Sequence, residues 1–220
     1  MKKERREKLS SRRRRTLRRL LIAAAAVLLV NRIFLIGLIF PIQAVRHFEE
    51  RQGTGRTAVV CRDWAPEIHG SHLLYLTENE KVLMLSGTYL TVYGWMDAFG
   101  VAADCTPPAP IHGGWWSMAR EGRTNLVYAF CRLEDPEIVR LEVLAEYEDG
   151  SSGQLVRQSA FRWDREWVCG EEDRHVLFRK RGVDWSAYPS PLYLTAIGYD
   201  IAGNEIARVE LDQGASSNFG

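Results

Sequence analysis

The chain has 220 residues, 46% of them hydrophobic and 26% charged, with a formal net charge of +1. That near-neutral total hides an asymmetry. Residues 1–20 carry eleven basic and two acidic side chains, and residues 46–220 carry seventeen basic and twenty-six acidic ones. An acidic body disfavours nucleic acid or anionic lipid as its partner, so no nucleic-acid partner is expected and any basic contact belongs to the amino-terminal segment.

The basic residues between Lys2 and Arg19 run directly into apolar sequence at 20–45. Such a charge cluster stays in the cytoplasm while the chain beyond the apolar segment is carried across the membrane. The pattern predicts a basic cytoplasmic tail at 1–19, a transmembrane signal anchor at 20–45 and an extracytoplasmic remainder, hence a single-pass protein of the cell membrane. A span needs about 20 apolar residues, and 20–40 supplies them apart from Asn31 and Arg32. A cleavable signal would carry a shorter apolar region, roughly 7–15 residues, and cutting near Ala26 would strand the apolar run 33–40 at a new terminus. Arg32 lies about 18 Å past Leu20 on a helix, near the bilayer middle, where a charge costs roughly 2.5–3.5 kcal/mol and usually finds a partner. Asn31 and Arg32 are therefore candidate contacts to a second membrane protein or a second copy. The alternative is a snorkelling Arg carried by apolar flanks. Pro41 reads as the end of the helix.

Residues 46–56, with Gly53 and Gly55 among polar neighbours, read as a stalk. Beyond it, short β-branched and aromatic runs alternate with turn residues, which predicts a mainly β, antiparallel, sandwich-like extracytoplasmic domain after the single amino-terminal transmembrane helix. A small β lobe at 57–105 contains a hairpin at 72–85. Pro107, Pro108 and Pro110 mark a boundary at 106–110. A larger sandwich-like lobe at 111–212 follows. Its clearest strand is 139–148, where Val139, Leu141, Val143, Ala145 and Tyr147 alternate with Arg140, Glu142, Leu144, Glu146 and Glu148, the mark of a half-buried strand. A turn at 149–153 leads to a return strand at 155–163. A second hairpin joins 192–199 to 205–211 through a turn at 200–204. Residues 213–220 read as a disordered tail.

Cys61, Cys105, Cys131 and Cys169 lack the close paired spacing of a zinc site, so disulfides are expected in an oxidising compartment. Three pairings are open. Cys61 with Cys105 and Cys131 with Cys169 keeps each bridge within one lobe, each stabilising by roughly 2–4 kcal/mol; four buried free thiols are the alternative.

Three strings carry a resemblance: Asn125-Leu126-Val127-Tyr128-Ala129-Phe130, the segment from Asp135-Pro136-Glu137-Ile138 into Val143, and the closing Tyr199-Asp200-Ile201-Ala202-Gly203-Asn204-Glu205-Ile206. Together with Tyr93-Gly94-Trp95 they resemble a group of uncharacterised secreted or membrane-tethered β-domain proteins of Gram-positive bacteria. The match covers about half of the exported part. It implies an envelope location and a β fold, and no activity. The cysteines and the Arg-rich tail depart from the pattern.

Candidate chemistry is sparse. His69, His72 and His112 with Asp63, Glu67 or Asp104 form a conceivable metal set, but turn-like sequence at Gly70-Ser71 prescribes no ligand geometry. No nucleophile elbow, Ser-x-x-Lys or phosphate loop occurs, and carboxylate pairs are too abundant to single out. No catalytic, cofactor or metal residue is assigned. Trp115 and Trp116, adjacent in a strand, point to opposite faces, so one of them is a candidate binding surface and core packing of both is the alternative; Trp163 and Trp167 are weighed the same way. The expected role is a membrane-anchored extracytoplasmic binding protein with an envelope or membrane protein as its partner. An envelope hydrolase using carboxylates or histidines, and a membrane-complex subunit acting through the transmembrane helix, are the competing readings. The oligomeric state is open.

Overall fold

The computed structural model describes residues 2–34, 38–65, 72–92, 94–120, 123–148, 155–158, 165–170, 174–183 and 192–213. Two helices open the chain, α1 (Lys2–Phe34) and α2 (Pro41–Gln52). An antiparallel meander follows: β1 (Ala58–Ala65), β2 (His72–Glu78), β3 (Val82–Thr91) and β4 (Gly94–Asp104) form the first sheet in that order. Then come β5 (Ile111–Arg120), β6 (Arg123–Leu133), β7 (Arg140–Glu148), β8 (Leu155–Gln158), β9 (Arg165–Cys169), β10 (His175–Val183), β11 (Leu192–Tyr199), β12 (Glu205–Glu210) and β13 (Asp212–Gln213). They divide into a second sheet, β13-β5-β6-β10-β9, and a third, β12-β11-β7-β8.

Side-chain alternation shows how the sheets stack. On β6, Val127, Ala129 and Cys131 face one core with Val143, Ala145, Leu194 and Ala196 of the third sheet. The intervening Leu126, Tyr128 and Phe130 face another core with Leu74, Leu76, Leu83, Leu85 and Phe99 of the first sheet. The second sheet is thus the middle layer of three, its central strands buried on both faces while Val168 on the edge strand β9 stays exposed. Alternate residues of the first sheet, Tyr75 and Met84, pack against Val45 and Phe48 of α2, which caps the stack as a fourth layer. The second and third sheets have strand orders β5-β6-β10-β9 and β12-β11-β7-β8, the A-B-E-D and G-F-C-C′ arrangement of immunoglobulin-type sandwiches.

The expected hairpins appear where the alternation placed them, at β2–β3 and β11–β12, and the strand expected at 139–148 is β7. The expected turn at 149–153 and the end of the return strand past Gln158 lie outside the described residues. One side of β7 departs from expectation: Glu146, assigned to solvent, is buried, with Oε2 accepting from the Thr195 hydroxyl at 2.6 Å and Oε1 from Arg208 at 3.2 Å. Gln213, placed in the disordered tail, pairs in β13 beside Trp115.

The region assigned to the anchor and stalk is corrected. Pro41, read as the end of a helix, instead begins one. Proline suits the first helical position, where its missing N–H has no partner to lose, and the Gln43 side chain accepts the N–H groups of Ile39 and Phe40 at 3.1 Å. Ala44 and Val45, given to the anchor, are fully buried against the β body. Residues 46–52, given to a stalk, complete α2, which Gly53 closes in the left-handed conformation at φ 66°. Buried Glu49 ties the helix to the sheet by accepting the Thr57 N–H at 3.1 Å and bonding the Thr57 hydroxyl and Arg46. Among the described residues, no helix is long and apolar enough to cross a membrane.

Close packing of β5 on β6 leaves no room at Gly113, where an added Cβ would come within 2.3 Å of the Phe130 carbonyl oxygen. Backbone cannot yield as a side chain does, so Gly113→Ala is expected to destabilise the fold by about 1–3 kcal/mol or more, read as a lower midpoint in denaturant unfolding.

Candidate functional site

Polar groups concentrate in the seam between the first and second sheets. On β1, Asp63 points into this seam, and the register of β6 and β10 sets Tyr128 opposite Arg179. Arg179 Nη1 donates to Asp63 Oδ2 at 3.2 Å, and the Tyr128 hydroxyl donates to the same oxygen at 3.4 Å. The Arg179 guanidinium also lies 5.3 Å from the centre of the Trp167 ring. All three polar residues are buried or nearly so. At the far end of β2, Glu78 Oε2 meets His175 Nε2 at 2.8 Å and Arg132 Nη1 at 3.3 Å, a second ionic link across the seam.

The edge of the seam holds two half-buried thiols. Cys61 lies two residues before Asp63 on β1 and so shares its face; Cys169 lies two residues past Trp167 on β9 and likewise shares that face. The two thiols face each other within hydrogen-bonding reach. That contact lowers the Cys61 thiol to about 7, against burial and the nearby Asp63 carboxylate, which both act to raise it. Cys169, as the hydrogen-bond donor, is pushed up by Cys61 first and by burial second. The pair therefore supplies one thiolate near neutral pH beside a second, protonated thiol. That is dithiol chemistry: nucleophilic attack on sulfur or an alkylating carbon. Cys131 is fully buried in the sandwich core and Cys105 is buried in the first seam; burial raises both thiols and makes them poor nucleophiles.

The expected bridges of Cys61 with Cys105 and Cys131 with Cys169 are not formed; all four cysteines are free. The within-lobe pairing assumed separate lobes, whereas the sheets stack and bring Cys61 of the first sheet to Cys169 of the second. Trp115 and Trp116 do point to opposite faces, but both are buried, because both faces of their sheet are covered. Trp116 stacks on Phe99 with ring centres 3.4 Å apart and planes within 3°. Neither is an exposed binding surface. Asn31 and Arg32 lie in α1, and their side chains are outside the described residues, as are Glu67, His69, Trp163 and the side chain of His72. His112 is buried on β5. Among the described residues, no group of three or more His, Cys, Asp or Glu is arranged to hold a metal ion. A surface cleft of about 530 Å³ at the β2–β3 turn is lined by Thr54, Arg56, Ala58, Glu78, Asn79, Glu80 and Lys81, without a histidine or cysteine.

Sequence reasoning missed Arg179 and Tyr128. The signal was weak: Arg179 is the first of three consecutive basic residues, Arg179-Lys180-Arg181, and nothing in the sequence separates the buried one from its neighbours. No protein-family model matches the chain, and no curated protein matches it.

Two outcomes follow. Alkylation of Cys61 by iodoacetamide is expected to rise with pH around a midpoint near 7, and Cys169→Ala, which removes the donor, is expected to move that midpoint up towards the ordinary thiol value of about 8.5. Asp63→Ala, which takes the carboxylate from buried Arg179, is expected to cost about 3–5 kcal/mol in denaturant unfolding, while the double change Asp63→Leu with Arg179→Met recovers most of that loss.

Proposed function

We propose that the chain is a membrane-tethered interaction protein whose amino-terminal segment holds a stacked β body at the outer face of a cell membrane, where the body binds a protein or polymer of the envelope. The observation that carries this reading is α1. From Leu20 to Val30 its side chains are exposed all round, with Leu20, Leu21, Ile22, Val27 and Leu29 each more than 60% accessible, and among the described residues none of α1 belongs to any of the three cores. A helix that is apolar on every side belongs in an apolar surround. The apolar sequence continues past Phe34 to Phe40, and the basic cluster abuts its other end, so the charge rule orients the basic end to the cytoplasm. The acidic balance of residues 46–220 supports work in solution outside rather than on an anionic lipid face.

Binding rather than catalysis is the reading supported by the body. Trp115, Trp116, Tyr128, Phe130 and Phe178 are spent on cores while Trp64 of β1 stands exposed, and the cleft at the β2–β3 turn offers no histidine or cysteine. The connections β6–β7 and β11–β12 lie together at one end of the sandwich, where the Val139 N–H donates to the Tyr199 carbonyl, and they expose Val139 and Ile201. In immunoglobulin-type domains the corresponding loops are recognition loops.

Protease treatment of intact cells or spheroplasts carrying the chain tests the topology. The expected outcome is digestion of a carboxy-terminal tag from outside, protection of an amino-terminal tag, and retention of the chain in the membrane pellet after alkaline carbonate. Release by carbonate, or protection of the carboxy-terminal tag, overturns the reading.

A further inference from the structure

We propose that Cys61 and Cys169 are a redox pair that closes a disulfide across the seam, clasping the first sheet to the second at their shared open edge. β1 is the edge strand of the first sheet and β9 the edge strand of the second, and among the described residues these two stacked edges meet through side chains rather than backbone hydrogen bonds. The two thiols meet there, half-buried and within reach of solvent reagents, while Cys105 and Cys131 are buried in separate cores. Gly170 shows how closely the edges approach: it follows Cys169 at φ +96°, and a Cβ placed on it would fall 2.5 Å from the His175 ring and 3.3 Å from Val60 of β1. Only glycine lets the chain turn there without pushing Cys169 away from Cys61. The Asp63–Arg179 link one step further in fixes the facing distance of the sheets from behind.

The chemistry balances with a small-molecule disulfide as oxidant. The Cys61 thiolate attacks one sulfur of that disulfide, its S–S bond breaks and one thiolate leaves, giving a mixed disulfide on Cys61. Cys169 then loses its proton to water and attacks the Cys61 sulfur, forming the Cys61–Cys169 bond and expelling the second thiolate. Two protein thiols are oxidised, their two protons pass through water to the two departing thiolates, and one external disulfide is reduced to two thiols. A thiol ionising near neutral pH is the better first nucleophile, and the protonated neighbour is placed to resolve the intermediate. The bond closes a loop of 109 residues, 61 to 169 inclusive, so the unfolded chain is restricted more than by a local bridge.

The test oxidises the reduced full chain, held in detergent micelles, with oxidised glutathione, then counts free thiols with a maleimide-polyethylene glycol and maps peptides without reduction. The expected result is loss of two of four thiols, one peptide joining Cys61 to Cys169, and a melting temperature higher than that of the reduced form by more than about 5 °C. Cys61→Ser and Cys169→Ser are each expected to stop at a glutathione adduct on the remaining cysteine, and Cys105→Ser to form the link unchanged. A wild-type chain that keeps both thiols alkylatable, stops at the mixed disulfide, links other cysteines or melts no higher when oxidised overturns the proposal. Should a serine variant lose its cooperative unfolding transition, the wild-type peptide map and melting shift decide alone.

Discussion

Everything in the β body depends on one constraint: the central strands of its middle sheet, β5, β6 and β10, are covered on both faces. A sheet in a two-layer sandwich can discard an ill-fitting side chain to solvent on its outer side, but β5, β6 and β10 cannot. Each residue along Leu126-Val127-Tyr128-Ala129-Phe130-Cys131 must fit one of two cores. At roughly 25 cal/mol per Å² of apolar surface, double burial makes these three strands the densest source of hydrophobic stabilisation in the molecule. It also makes them the least forgiving. Gly113 and Gly114 on β5 reflect this, since the Phe130 ring and backbone and the Asp212 carbonyl occupy the space where side chains would stand.

The same constraint dictates where polar chemistry collects. A charged or hydroxyl group carried by a doubly buried strand has to find its partner inside the seam, because an unpaired one costs several kcal/mol. Arg179 does so through Asp63, Arg132 and His175 through Glu78, and in each case the partner comes from the first sheet. These links give the stacking of the two sheets a register that greasy contacts alone would leave loose. On the outer face of the third sheet, away from either seam, Glu146 of β7 is satisfied within its own sheet by Thr195 of β11 and Arg208 of β12. Ion pairs of this kind add little net stability over an apolar substitute but penalise any arrangement that separates the partners.

How much of this was legible follows from the same geometry. Strands with one wet face announce themselves by alternation, and β7, β11 and β12 were readable from it together with their Gly- and Asn-containing turn. The three prolines after Cys105 marked the passage from the first sheet to the sandwich. What stayed hidden was the stacking. An unbroken apolar run such as 126–131 signals a strand buried on both faces, yet it names neither layer, and without the layers Cys61 and Cys169 look distant and Trp115 or Trp116 looks free. The α2 helix was hidden for a different reason: its apolar residues Ile42, Val45 and Phe48 follow directly on apolar sequence, so a short amphipathic helix merged with the stretch before it. Proline at its first position, which also suits a helix end, strengthened the misreading.

Replacing a stalk with α2 changes what the proposed tether can do. A polar linker would let the body roam over a radius set by its length. Instead, Leu38 exchanges two backbone hydrogen bonds with Trp95 of β4 at 2.8 and 2.7 Å, four residues after the end of α1. Three residues further on, α2 begins and lays Val45 and Phe48 on the first sheet, where Gly100 makes room for the Phe48 ring. On the tethered reading, the first sheet and its helix are therefore held close to the lipid surface. The sandwich lies behind them, joined through the seam that Asp63, Glu78 and the two thiols span. A binding event at the sandwich loops would then bear on the membrane only through that seam. Its rigidity sets how far such an event is felt, and closing or opening one sulfur–sulfur bond at its edge is the cheapest covalent way to change that rigidity without disturbing either core.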